Sequence, residues 1–253
     1  MSLGRYALFP VAVAQFVAPA LPAMGFGETI GDRATGAGIP PELPLGVFFS
    51  IWGIIFTAYL GVAILALTKP NYVYDRVAGP LALAGLGNVV WMLSAQTFGY
   101  SWLDFLLLWP ILFFAWEAAH RMHQMGGFNG TGRRLLLCVV VGLLAGWLTV
   151  ATSISTPELL RDLLGRGATD NPWQSLWAAL IPAALLAYFF ARYVSASLWF
   201  YVALSWGLVG IILNNWTRTE MHFLAIAAGV VGLIVLRTRM DIERVEWKAS
   251  LYL

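Results

Sequence analysis

Charged residues are scarce in this sequence: Asp, Glu, Lys and Arg together make up 11% of its 253 residues. A soluble domain usually carries about 25% charged residues, so this scarcity argues against a soluble globular protein. The mean hydropathy of +0.75 points the same way, as does the 60% share of hydrophobic residues. The composition therefore predicts an integral membrane protein.

Other absences narrow the function. Cys138 is the only cysteine, which excludes an intramolecular disulfide. The formal net charge of +2 gives no sign of nucleic-acid binding. The chain lacks a P-loop, a dinucleotide-binding glycine pattern, a nucleophile–base pairing and paired intramembrane carboxylates. His120 and His123 have no third candidate ligand nearby, so we expect no metal site. Together these absences lead us to expect no catalytic residues and no enzyme activity.

Long apolar runs are what the sequence does have, and about 17–25 apolar residues are enough for a transmembrane helix. Eight runs cover about residues 6–25, 44–67, 79–98, 102–120, 134–153, 173–191, 196–214 and 221–236. With eight spans, 11 of the 15 Lys and Arg residues lie on the side that holds the N-terminus. The positive-inside rule then places both termini in the cytoplasm. We expect an all-α integral membrane protein of about eight helices, located in the bacterial inner membrane.

The loop between the fifth and sixth runs predicts a division of the chain. It contains the amphipathic stretch PELLRDLLGR, which we expect to lie on the outer membrane surface as an interfacial helix. The chain would then consist of a five-helix bundle (1–156), an interfacial segment (157–172) and a three-helix tail with a short cytoplasmic C-terminus (173–253). In the fourth run, the i,i+4 spacing of Glu117 and Arg121 predicts an ion pair at the membrane interface.

Tryptophan is abundant, with 12 residues, and three of them recur at a spacing of seven in the fourth run. Trp102, Trp109 and Trp116 should share one helix face, with about 20° of drift at each step. Trp102 and Trp116 are about 21 Å apart along the helix axis, which fits an aromatic belt at the two membrane interfaces. Trp109 lies midway between them, so the belt does not explain it.

Further tryptophans lie deep inside their runs. Trp91, Trp147 and Trp206 are far from the predicted interfaces, and Asn88 lies one turn before Trp91 on the same face. We interpret these rings, together with Trp109, as the wall of an intramembrane aromatic surface. For any single ring, simple packing within a helical bundle is the alternative.

Three stretches carry motifs in a fixed order: PLGVFFSIWGIIF, NVVWMLSAQTFGY and GWLTVATSIS. They resemble segments of the tryptophan-rich sensory protein family, also called the TspO/MBR or translocator family. The matching positions are Pro44, Phe48 and Trp52 in the first stretch, Asn88, Trp91, Phe98 and Gly99 in the second, and Trp147, Ala151 and Thr152 in the third. The resemblance covers about residues 1–156, and the tail looks like what longer members carry beyond the five-helix unit.

The resemblance implies a helical bundle with a pocket for flat or rigid apolar molecules. Members of that family bind porphyrins and sterol-like compounds, often form dimers, and are linked to tetrapyrrole regulation or transport. This sequence departs from the family pattern at positions that line the family's pocket. Gly46 stands where the family usually has Trp, Ser155 where it has Asn, and Leu143-Leu144 where Pro-Tyr is common.

Our first hypothesis is a membrane receptor or transport-type protein for a tetrapyrrole-, sterol- or isoprenoid-like ligand. The expected ligand-binding residues are Phe48, Trp52, Asn88, Trp91, Trp109 and Trp147. A porphyrin or other tetrapyrrole is the candidate ligand, and the expected partners are the lipid bilayer, a hydrophobic small molecule, and a homodimer or larger membrane complex. Two alternatives stay open: an accessory or scaffold subunit of a pigment-containing membrane complex, and a porphyrin-modifying enzyme.

Overall fold

The computed structural model describes residues 3–30, 38–69, 71–125 and 134–250, and only the backbone at Leu3, Thr238 and 241–250. Within these residues the chain forms helices and no strand. The α-helices are α1 (Leu3–Val17), α2 (Ile51–Thr68), α3 (Asp75–Thr97), α4 (Ser101–Gln124), α5 (Leu135–Leu164), α6 (Pro172–Tyr193), α7 (Leu198–Thr217) and α8 (His222–Ser250). The predicted all-α fold class is confirmed.

Six of these helices, α2 to α7, are long and apolar enough to cross a membrane, if α2 is taken with the 3₁₀ turn Gly46–Ser50 that precedes it. The apolar part of α8, His222–Arg237, is shorter. Helix α1 has 15 residues and therefore spans about 22 Å of a hydrocarbon core about 30 Å thick. It ends before Pro19 and Pro22, where the chain continues in two short 3₁₀ turns. The protein is an integral membrane protein, and its helices contact the lipid bilayer.

Helix α5 lies in the middle of the bundle, in contact with α2, α4, α6 and α7. Two glycines one turn apart let α7 approach it closely. A Cβ atom at Gly142 would lie 2.5 Å from the Cβ of Trp199, and one at Gly146 would meet the carbonyl oxygen of Phe200 and lie 2.9 Å from the Cβ of Ala203. This small-xxx-small spacing is a common means of close helix packing in membranes, where burial of apolar surface gives little driving force.

Replacing Gly146 with Ala is expected to lower the free energy of unfolding by about 1–3 kcal/mol, because the added methyl group overpacks the contact between α5 and α7. Intrinsic helix propensity favours Ala over Gly by about 1 kcal/mol, which would raise stability. A net loss of stability can therefore be assigned to the overpacked contact. Unfolding in mixed micelles measures it. Gly53→Ala is the control, since Gly53 is exposed on α2 with no atom within 4 Å of its Cβ position. Equal stability of the two variants would contradict this close approach.

The stretch PELLRDLLGR, expected to form a separate interfacial helix, is continuous with α5, which runs through Pro157 to Leu164. A proline removes only one backbone donor, and Pro157 is buried among neighbouring helices, where such an interruption is tolerated. The extension is also fixed by Arg161, which pairs with Glu42. Helix α5 ends at Gly165, whose φ of +61° is readily adopted by glycine.

The tail helices share the core of the first five helices. Phe190 of α6 and Phe200 of α7 stack with their ring centroids 3.7 Å apart, and Trp116 of α4 contacts Phe190 edge-on at 5.5 Å. Phe190 and Phe200 belong to the main hydrophobic cluster, and Trp116 packs against it. The three-helix tail is therefore packed into the bundle.

Candidate functional site

A cavity of about 320 Å³ lies among α2, α3, α5 and the segment that precedes α2. Its inner wall is aromatic and includes Phe49, Trp52, Trp91 and Trp147. The ring centroid of Trp52 lies 6.3 Å from that of Trp91 and 6.2 Å from that of Trp147, the second pair at 90°. Phe49 contacts Trp147 edge-on at 5.8 Å. Three helices therefore bring their indoles into one cluster.

The structure brings together three of the six residues predicted to bind ligand: Trp52, Trp91 and Trp147. Phe48 is buried on the other side of the Gly46–Ser50 turn, with its ring 4.9 Å from that of Trp206. It lines an outer groove and is not part of the cavity wall.

Asn88 and Trp109 also lie outside the cavity wall. Asn88 is fully buried in α3, and its amide has no hydrogen-bond partner among the described residues. Trp109 is 44% exposed and contacts Phe105 edge-on at 5.9 Å on the outer face of α4. The interpretation of Trp109 as part of the intramembrane wall is wrong, because the packed face of α4 is formed by smaller residues such as Leu108 and Leu112.

The other two tryptophans of α4 differ in orientation. Trp102 is exposed at the start of the helix, whereas Trp116 packs toward α5 and donates its indole N–H to the Thr149 hydroxyl at 3.3 Å. The drift of a seven-residue repeat around an α-helix accounts for part of this difference.

Sequence reasoning missed Phe49 because it selected Phe48 from its motif position. Residues Gly46–Ser50 form a 3₁₀ turn, in which side chains three residues apart share a face. Phe49 therefore lies on the side of Trp52, while the i,i+4 partner Phe48 faces α7. The motif itself does not distinguish the two adjacent phenylalanines.

The outer end of the cavity is polar. Glu42, with 2% of its side chain exposed, pairs with the Arg161 guanidinium and accepts a hydrogen bond from the Ser175 hydroxyl at 2.9 Å. Arg161 also donates to the Ser175 hydroxyl. Glu158 and Arg218 line the same end. The ion pair joins the segment before α2 to α5 and α6, and it places charged groups beside an otherwise apolar cavity.

Helix α7 holds the segment of residues 40–50, which we call the roof segment because it covers the outer end of the cavity. The side-chain amide of Asn214 donates to the carbonyl oxygen of Pro40 at 3.2 Å, and that of Asn215 donates to the carbonyl oxygen of Pro41 at 2.5 Å. Both asparagines are buried. Since a proline has no N–H of its own, its carbonyl group is the part of its backbone that can form such bonds.

Two further bonds continue this contact along α7. The backbone N–H of Leu45 donates to the carbonyl oxygen of Gly210 at 3.0 Å, and the indole N–H of Trp206 donates to the carbonyl oxygen of Phe48 at 2.7 Å. A Cβ atom at Gly210 would lie 2.8 Å from the Cβ of Pro44, so the glycine is needed for this approach. The tail therefore determines the position of the roof segment.

The fold and the cavity define an all-α membrane protein in which α2, α3, α5 and the roof segment surround an aromatic cavity. The family model described as TSPO-like protein matches residues 27–239. The chain belongs to this TSPO-like family, which indicates a membrane-associated function of ligand-binding or transport type. The match extends beyond the five-helix region into α8, so it includes the tail. Comparisons with curated proteins and with solved structures give no match.

Proposed function

We propose that this protein is a membrane receptor or transport-type protein that binds a flat hydrophobic ligand in the cavity. The supporting observation is the convergence of Trp52, Trp91 and Trp147 around a space of about 320 Å³. Small-molecule sites are typically apolar and roughly 300–1,000 Å³ in volume. Aromatic walls favour planar rings, because rings stack with an offset or meet edge to face. Tetrapyrrole-, sterol- and isoprenoid-like molecules are the ligand classes proposed.

The buried indole N–H groups support a ligand with a hydrogen-bond acceptor at its edge. Those of Trp91 and Trp147 have no partner among the described residues. A buried donor without a partner costs about 1–3 kcal/mol. Both nitrogens are covered by neighbouring atoms, so a ligand would reach them after rotation of the rings. A ring nitrogen or carbonyl oxygen of the ligand would then accept these bonds.

The proposal also covers topology and organisation. We propose that both termini are cytoplasmic, that the membrane is the bacterial inner membrane, and that the protein is not an enzyme. Residues 1–156 would supply the aromatic wall, while the tail (173–253) would hold the roof segment and contribute Arg218 to the outer end. The contacts of Asn214 and Gly210 with the roof segment support this role of the tail.

Titration of the purified full-length chain with a porphyrin tests the proposal. Trp91→Leu is expected to raise the Kd at least about fivefold, because the variant loses an aromatic contact worth about 1 kcal/mol. Binding should be followed by the porphyrin's own absorption or by equilibrium dialysis, since removal of a tryptophan changes the protein fluorescence.

Trp109→Leu is the matched control, because it makes the same change on the outer face of α4 and should leave the Kd unchanged. Equal effects of the two substitutions, or no saturable binding by the wild-type chain, would contradict the cavity assignment. Co-migration of the chain with a stable partner on a native gel, without porphyrin binding, would favour a scaffold subunit. A change in the bound porphyrin's spectrum under light, over time, would favour the enzyme.

A further inference from the structure

A second depression, of about 540 Å³, lies on the outer surface of the bundle, separate from the aromatic cavity. Leu198, Val202, Trp206 and Val209 line it along one face of α7, and all four are exposed. At its end near the start of α7 it is lined by Arg239 of α8. We call this depression the α7 groove.

The floor of the α7 groove is mostly apolar, and two of its polar side chains already donate to backbone carbonyl groups. The indole N–H of Trp206 donates to the Phe48 carbonyl oxygen at 2.7 Å, so Trp206 presents its ring to the groove. The Tyr201 hydroxyl donates to the carbonyl oxygen of Ala187 at 3.4 Å. The Arg239 guanidinium lies over the Tyr201 ring, 4.9 Å from its centroid, in the range of a cation–π contact. The groove is therefore an apolar trough with a cation at one end.

The dimensions of the α7 groove match one leaflet of a bilayer. Leu198 and Val209 are eleven residues apart on α7, which corresponds to about 16 Å along the helix. Half of the hydrocarbon core is about 15 Å. Leu198 is the first residue of α7, and Arg239 follows Arg237, where the apolar part of α8 ends. The cation therefore lies at the level of the lipid headgroups, on the side that we propose to be cytoplasmic.

We propose that the α7 groove is a specific site for an anionic phospholipid, with one acyl chain along α7 and the headgroup phosphate at Arg239. The floor suits the acyl chain because most of its lining residues are hydrophobic. A guanidinium group binds phosphate oxygens through two parallel N–H···O hydrogen bonds. A zwitterionic headgroup can form the same hydrogen bonds, but its own positive charge reduces its net attraction to Arg239. The site does not depend on what binds in the aromatic cavity.

Native mass spectrometry of the full-length chain, released from micelles that contain phosphatidylglycerol or phosphatidylcholine with identical acyl chains, tests this proposal. The wild-type chain is expected to retain one phosphatidylglycerol in preference to phosphatidylcholine. Arg239→Gln should reduce this preference by about fivefold, the effect expected for one basic residue near an anionic membrane surface. Val202→Trp, which fills the trough, should reduce retention of both lipids.

Arg192→Gln is the matched control: Arg192 lies in the last turn of α6, and it does not line the α7 groove. This variant should keep the wild-type preference. The proposal is overturned if the wild-type chain retains both lipids equally, or if Arg239→Gln and Arg192→Gln behave alike. Because these measurements use no porphyrin, their failure would not affect the proposed function of the cavity.

Discussion

Replacing Gly46 with Trp is expected to weaken ligand binding in the aromatic cavity while leaving the fold intact. Gly46 lines the cavity, and a Cβ atom at this position would meet no atom within 4 Å. An indole can therefore be accommodated there, and it would occupy space that the ligand needs. The Kd for the porphyrin should rise by more than about tenfold, which corresponds to 1.4 kcal/mol.

Gly53→Trp separates blocking of the cavity from the general effect of adding an indole. Gly53 also has no atom within 4 Å of its Cβ position, but it is exposed on α2 and does not line the cavity. This variant should bind porphyrin as the wild type does, and both variants should give the same elution profile in mild detergent. If Gly46→Trp retains full affinity, the ligand binds elsewhere.

The helices could be predicted from the sequence because the bilayer imposes a local requirement on each of them. A spanning segment must satisfy its own backbone hydrogen bonds and have an apolar length near 20 residues. The run at 79–98 and helix α3, Asp75–Thr97, agree within a few residues for this reason. The extension of α5 beyond 153 was not predictable in this way, because it depends on Arg161 pairing with a distant carboxylate.

The aromatic wall was partly predictable. Trp52, Trp91 and Trp147 lie on motif positions, and the structure brings all three together. The orientation of Trp109 depends on the rotation of α4, which is set by how Leu108 and its neighbours pack. Seven-residue spacing predicts that rings lie near one face, but it does not show which way that face points.

The polar end of the cavity has no signal in the sequence. Glu42 and Arg161 are 119 residues apart, and Arg161 lies in the stretch that was expected to form an interfacial helix. Arg218 comes from the tail, which the sequence motifs did not include. These residues meet because α7 positions the roof segment, a long-range contact that neither residue spacing nor hydropathy indicates.

Glu42→Ala is expected to cause the largest loss of stability among single substitutions at the site, about 3–5 kcal/mol. The change leaves the Arg161 guanidinium in a largely buried position without its carboxylate, and it removes the acceptor of the Ser175 hydroxyl. The roof segment also loses its link to α5 and α6, so porphyrin affinity should fall together with stability. Unfolding in mixed micelles, with and without porphyrin, measures both effects.

Two variants show whether the loss comes from an unpaired buried charge. Glu117→Ala removes the carboxylate of the predicted pair with Arg121, which the structure confirms at 2.6 Å. That pair is partly exposed, so this control should cost no more than about 0.5 kcal/mol. The double substitution Glu42→Leu with Arg161→Leu removes both charges and should recover most of the stability, because an apolar pair avoids the desolvation cost. If the double variant is as unstable as Glu42→Ala, the ion pair acts mainly through the geometry of the roof segment, and the unpaired charge is not the cause.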